Sequence, residues 1–222
     1  MKNDYRFLRD FKVTKRIFPD LDYFPADQDK FFKLEGDLPI FDANGILREI
    51  FTIRILFSKE YPKGFAKVYE IGKEIPNHID WHKYKDDQCC LCAIPEELIE
   101  QRKCNSILHF IREFTIPFFV NYVHKREYEI YPNGDYPHGD SGTVLWYQEK
   151  FPGFENSQIH DLLVQLINGM SLPGPNENCI CGSRRKFKKC HSLFCSELRL
   201  IPKLDLNKHL ISLIRVDSKC QL

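Results

Sequence analysis

No apolar run in the chain approaches the roughly 20 residues that a membrane-spanning helix requires. The opening MKNDYRFLRD also lacks the apolar stretch of a secretory signal. Charge of one sign is missing too. Thirty-two Lys and Arg stand against 31 Asp and Glu, a formal charge of +1, so no global field selects nucleic acid or an anionic membrane. There is no internal repeat and no low-complexity segment. The nine cysteines are odd in number and sit in a chain without an export signal. That argues against a disulfide framework and for thiol and metal chemistry in a reducing compartment, so the cytoplasm is the expected location.

What is present suffices for a core. At 222 residues, 43% hydrophobic and 14% aromatic, the chain can form one substantial domain and a small appendage. Tyr5, Phe7, Leu8, Phe11 and Val13, set among charges, predict an N-terminal helix over residues 4–16 that ends near Phe18-Pro19. Phe31 to Gly36 reads as a strand, and Asn44-Gly45 as a hairpin turn. Leu47 to Phe57 alternates Phe51, Ile53 and Ile55 with Thr52 and Arg54, the strongest strand pattern in the chain. Tyr61-Pro62-Lys63-Gly64 breaks it, and Phe65 to Ile71 alternates again. Three antiparallel strands in meander order are therefore expected.

Beyond them, Leu98 to Phe114 predicts a helix with Ile99, Cys104, Ile107, Leu108 and Ile111 on its apolar face. Pro95, Glu96 and Glu97 suit its first turn, and Pro117 is expected to end it. Tyr131 to Gly142, dense in turn formers and holding His138 and Asp140, reads as an irregular loop. Gln158 to Asn168 predicts a helix with Ile159, Leu162, Leu163, Leu166 and Ile167 on one face and Gly169 as its stop. Leu172-Pro173-Gly174-Pro175 is a linker. A last amphipathic helix is expected over Leu204 to Val216.

Two stretches hold chemistry. The first, Pro76 to Leu91, reads PNHIDWHKYKDDQCCL. A thiol is nucleophilic as thiolate, partly exposed and near polarising groups. Here Cys89 and Cys90 follow a charged turn directly. His82, eight residues before Cys90, can reach across the turn to donate a hydrogen bond to an oxyanion. The other reading of the same residues is a polar turn between two buried segments with incidental cysteines.

The second stretch, Asn176 to His191, reads NENCICGSRRKFKKCH. Cys179, Cys181, Cys190 and His191 make a complete tetrahedral set for a structural Zn2+. Gly182 permits the tight turn between the early thiols. Arg184, Arg185, Lys186, Lys188 and Lys189 form a basic knuckle, too small a charge cluster to argue for nucleic acid. The stretch resembles the SEC-C motif, the metal-binding tail of the SecA translocation ATPase. That resemblance implies a docking module for protein partners.

The order of the front half, from residue 3 to residue 119, resembles the ubiquitin-conjugating enzyme fold. That fold has an N-terminal helix, an antiparallel β-meander with a Tyr-Pro break after its second strand, a polar loop ending in Cys-Leu, and C-terminal helices. The fold class is thus α+β, with a small zinc knuckle appended: residues 1–170, then 171–195 for the knuckle, then 196–222 for a helical tail. More narrowly, His82, Cys90-Leu91 and His138-Gly139 are similar to patterns of the bacterial members of that superfamily. Those occur in ubiquitin-like conjugation operons and in the anti-phage CBASS systems. The resemblance implies that Cys90 accepts the C-terminus of a carried protein, either a ubiquitin-like protein or a cyclic-oligonucleotide synthase, as a thioester and passes it to a lysine. A separate activating enzyme is a further implied partner. The family's His-Pro-Asn is absent, His82 stands where the oxyanion asparagine would be, and Cys89 and Cys92 compete with Cys90 for the acceptor position, Cys89 being one register away.

On this reading Asp86 and Asp87 orient or deprotonate the incoming lysine, and His138 lies in the downstream loop. Side-chain alternation is expected to turn Cys89 and Cys92 to the buried face opposite Cys90. The competing reading is a non-catalytic adaptor that uses the same domain and the knuckle for docking. A zinc hydrolase is disfavoured, because four protein ligands leave no open coordination position.

Overall fold

A computed structural model describes residues 2–25, 31–103, 105–132, 134 and 136–219. Cys104 and Cys220 lie outside the described residues. The protein is a mixed α+β structure with a four-stranded antiparallel sheet and several helices. Contacts divide it into two compact units. The first comprises residues 1–92 and 100–135, the second residues 93–99 and 136–222.

The first unit opens with α1 (Lys2–Ile17), which has Asp4 in its first turn and Lys15 and Arg16 in its last, the charge order that suits a helix dipole. It ends one residue before Phe18, as expected. A sheet in the order β1-β2-β3-β4 follows: β1 (Leu21–Phe24), β2 (Phe31–Phe41), β3 (Leu47–Ser58) and β4 (Lys67–Glu70). The meander gains a fourth strand, β1, that the sequence pattern did not reveal. Gly36 explains how β1 is accommodated. Its φ is +148°, and a Cβ there would stand 1.9 Å from the Asp20 carbonyl oxygen, so only glycine lets the chain entering β1 lie so close.

Strand β2 runs on through Pro39 to Phe41. Beyond Gly36 it pairs with β3 alone, so the missing proline N–H falls on an unpaired edge. Alternation sorts the sheet's two faces. Phe32, Leu34, Leu38 and Ile40 of β2 and Phe51, Ile53, Ile55 and Phe57 of β3 are buried. The other face pairs Arg54 Nε with Glu35 Oε2 at 2.6 Å and Thr52 Oγ1 with Asp37 Oδ1 at 2.7 Å, both between directly opposed residues. Phe7 of α1 stacks on Phe32 at 4.3 Å.

The helix expected over Leu98 to Phe114 is two helices: α2 (Ile94–Lys103) and α3 (Ile107–Phe110). Ser106 separates them. Its extended backbone and its hydroxyl, which accepts from His109 N at 3.2 Å, start a new helix there. Pro117 does not end the run. A π turn, Ile111–Thr115, comes first, with Ile116 N–H bonded to Ile111 O, and Pro117 sits in the opening turn of α4 (Ile116–Tyr128), where a missing donor is tolerated. Ile107, Phe110, Ile111 and Phe119 join the core beneath the sheet.

The second unit holds α5 (Gly139–Lys150), α6 (Asn156–Ile167), α7 (Ser192–Leu198) and α8 (Lys203–Lys219). Helix α6 follows the predicted periodicity: Ile159, Leu162, Leu163 and Leu166 are buried, a Glu155–Gln158 capping box starts it, and Gly169 follows its end with φ +69°. The last residues of the expected 131–142 loop are instead the first turn of α5, whose Val144, Trp146 and Tyr147 are buried. Contacts group α5 and α6 with the knuckle and α8, whereas composition alone suggests a break at residue 170. Among the described residues, no helix is long and apolar enough to cross a membrane.

Candidate functional site

The thiol loop belongs to the first unit. After β4, His78 caps a 3-10 turn, Ile79–Trp81, and His82 closes it in the left-handed conformation at φ +51°. Such a φ is uncommon for a residue with a side chain, and histidine is among the types that adopt it most readily. The chain then doubles back. Tyr84 N donates to Gln88 O at 2.8 Å and Cys90 N to His82 O at 2.8 Å, while Lys83 and Cys89 form an antiparallel bridge. Cys89 N donates to Val68 O at 2.8 Å, which ties this small hairpin to β4.

Cys89 and Cys90 differ as alternation requires. Cys89 is buried, and burial pushes its thiol up to about 12, so it is inert near neutral pH. Cys90 is half-buried, and its Sγ lies 3.9 Å from the Cys92 carbonyl oxygen. The expectation that Cys92 shares the buried face of Cys89 is corrected: Cys92 is half-buried. Cys90 and Cys92 are two residues apart and so have the same parity. A ring nitrogen of His82 and the Cys90 sulfur lie within 4.8 Å of one another. The His82 ring packs on Tyr131 at 5.0 Å between centroids, and the Tyr131 hydroxyl donates to Asp80 O at 3.0 Å.

The two aspartates are unlike each other. Asp86 is exposed, and its carboxylate accepts from Gln88 N at 3.3 Å. Asp87 is drawn into the loop, 3.2 Å from Lys83 Nζ and 3.3 Å from Lys73 Nζ. The Asn77 side chain, aided by the two lysines, holds its carboxyl below the usual carboxylate range. Asp87 is therefore engaged in bracing the turn. His138 lies in the second unit, as the residue that precedes α5.

Sequence reasoning passed over Lys83 and Glu70. A signal was available, because β4 alternation turns Val68 and Glu70 inward together. An inward carboxylate on a strand demands a buried cation or donors.

The second site is the knuckle. Asn178 and Lys186 form an antiparallel bridge, Gly182 turns the chain at φ +73° with its N–H on Cys179 O at 3.2 Å, and a 3-10 turn, Phe187–Lys189, returns Cys190. All four donor atoms of Cys179, Cys181, Cys190 and His191 lie within 4.8 Å of one another. Cys179 Sγ and Cys190 Sγ each lie 3.3 Å from His191 Nδ1, and Cys181 Sγ lies 3.6 Å from Cys190 Sγ. A tetrahedral zinc with ordinary bond lengths sets its ligand atoms about 3.5–3.8 Å apart. The donor set and its spacing fit that ion, with Nδ1 as the histidine ligand.

Burial works to raise the Cys181 thiol, but the Ser183 hydroxyl and backbone and the neighbouring thiols outweigh it and leave it at about 7. The knuckle is no loose appendage. Cys179, Phe187 and Cys195 are buried in one core with Phe151, Phe154 and Leu198, and the His191 ring packs on Phe151 at 5.1 Å.

Residues 176–193 match the SEC-C motif. Comparison with curated proteins and comparison with solved structures each gave no match.

Proposed function

We propose that the chain is a ubiquitin-conjugating-like cysteine transferase of bacterial anti-phage defence or ubiquitin-like conjugation, with Cys90 as acyl acceptor. The observation that supports it most is the pairing of a half-buried Cys90 with His82 beside an inert Cys89, in a loop that follows a helix and a four-strand meander. In this reading a separate activating enzyme presents the carried protein's C-terminus as a thioester. The Cys90 thiolate attacks that carbonyl and displaces the activating enzyme's thiolate. A lysine amine then attacks the Cys90 thioester, an amide forms, the Cys90 thiolate leaves, and the amine's proton passes to a base such as Asp86. His82 donates to the oxyanion. The carried protein is a ubiquitin-like protein or a cyclic-oligonucleotide synthase. The knuckle holds one structural Zn2+ through Cys179, Cys181, Cys190 and His191.

The test is a reductant-sensitive adduct between the chain and the products of neighbouring genes. Cys90→Ala should abolish it, and Cys90→Lys should trap a stable amide. Absence of any adduct in the presence of the activating enzyme overturns the transferase reading.

A second reading rests on the knuckle. Arg184, Arg185, Lys186, Lys188 and Lys189 are exposed, and none is in an ion pair among the described residues. That surface suits docking of an acidic protein, and a chain that docks a partner yet forms no adduct would be an adaptor.

A further inference from the structure

Lys83 sits on a short loop and yet is fully buried, side chain and all. Its ammonium donates to Glu70 Oε2 at 2.5 Å and to the Ile75 carbonyl at 3.0 Å, and it is ion-paired with Asp87 Oδ1 at 3.2 Å. Glu70, equally buried, is itself satisfied: Oε1 accepts from Glu74 N at 3.2 Å and Oε2 from Ile75 N at 3.4 Å.

Stability alone does not account for this pair. Desolvating two charges costs several kcal/mol per ion, and a well-packed apolar pair of similar volume is typically as stable or more so. What the pair adds is a fixed place. It joins the end of β4 and the descending loop at Ile75 to the hairpin's own turn at Asp87.

Alternation turns that fixed place into chemistry. Lys83 and Cys89 are bridge partners and both are buried; their neighbours His82 and Cys90 share a hydrogen bond and both are half-buried. A slip of one residue would reverse every side chain, sending Cys89 out and Cys90 in. An apolar residue at position 83 would tolerate such a slip, whereas an ammonium that must reach Glu70 does not. We propose that the buried Lys83–Glu70 pair, with Asp87, sets the register of the 82–90 hairpin and thereby decides which of two adjacent cysteines is presented beside His82. Lys83 and Glu70 are positioning residues. The assignment of a purpose to Cys90 rests on the transferase reading, but the register claim does not need a carried protein to be tested.

The experiment labels the native full-length chain with iodoacetamide and reads Cys89 and Cys90 separately by fragment mass spectrometry. Wild type should label at Cys90 with Cys89 protected. The double variant Glu70→Leu/Lys83→Met removes both charges together and so avoids stranding one. If thermal unfolding shows it folded, its Cys90-to-Cys89 labelling ratio should fall at least tenfold. A folded double variant with the wild-type ratio overturns the proposal. If the double variant does not fold, Asp87→Asn decides, because it weakens only the half-exposed arm of the strut: a reduced ratio supports the proposal and an unchanged ratio overturns it. Selective labelling at Cys90 without any thioester would instead sink the transferase reading and leave the register claim standing.

Discussion

The Tyr147 hydroxyl and His209 Nδ1 stand 2.9 Å apart, both residues buried in the core that α5 and α8 share. Burial pushes the His209 pKa down from 6.5 to about 4 and pushes the Tyr147 phenol up, so both are neutral in the folded protein. The unfolded chain binds a proton at His209 below pH 6.5 that the folded chain refuses until about pH 4. Stability is therefore complete above pH 6.5 and falls progressively between pH 6.5 and pH 4. The loss from this group is about 3 kcal/mol at most. Thermal unfolding across that range should show a shallower pH slope for His209→Gln than for wild type. Equal slopes would exclude His209 as the source.

Metal removal should reach beyond the knuckle. A 16-residue zinc segment read on its own has too little core to order itself, which suggests that only the tail would unfold. Yet Cys179, Phe187 and Cys195 are buried with Phe151, Phe154 and Leu198, and the His191 ring lies on Phe151. Chelation or Cys179→Ser should thus destabilise the α5–α8 unit as a whole, by about 4 kcal/mol relative to protein holding metal at a thousandfold excess over its dissociation constant. Metal analysis should give one zinc per wild-type chain and less in Cys179→Ser. Equal zinc in both proteins refutes the ligand set.

Much of this was legible in the sequence, for reasons that particular residues make plain. The period-two pattern of Phe51, Ile53 and Ile55 and the helical spacing of Ile159, Leu162, Leu163 and Leu166 report burial directly, and both elements formed where expected. Cys179-x-Cys181 and Cys190-His191 report a ligand set because the ion's geometry fixes the spacing. Strand β1 was illegible, since four residues with one fully buried position carry no period and its pairing depends on Gly36, fifteen residues away from Leu21. Pro117 misled because the π turn before it reassigns the hydrogen bonds, which no local propensity records. At the thiol loop the cysteines were visible and their support was not: Lys83 reads as one more solvated charge until Glu70 is placed beneath it.

Gly36→Ala offers a direct check on β1. The added methyl would meet the Asp20 carbonyl oxygen, and a φ of +148° is itself adverse for alanine. The Asp20 backbone cannot yield without releasing the register of Leu21 against residue 36. A loss of roughly 2–4 kcal/mol in denaturant unfolding is expected, within the range of strained-backbone and overpacking substitutions. A loss below 1 kcal/mol would mean that β1 adjusts freely.

In the proposed transferase reading, His82 is the residue on which the transfer step turns. Its left-handed backbone, its carbonyl bonded to Cys90 N and its ring against Tyr131 together hold the imidazole within 4.8 Å of the thiol. Such a donor matters most when the amine attacks and negative charge gathers on the carbonyl oxygen. His82→Ala should therefore leave Cys90 loading partly intact and slow transfer to lysine by about 10²–10³-fold, the usual effect of losing one oxyanion donor. Tyr131→Leu frees the ring without removing it, so it should slow transfer by a smaller factor. Cys89→Ala should leave loading and transfer near wild type, because that thiol is buried and protonated. Single-turnover assays that separate loading from discharge measure all three. A His82→Ala protein that discharges at the wild-type rate removes the oxyanion role, and an adduct that survives in Cys90→Ala moves the nucleophile to another thiol.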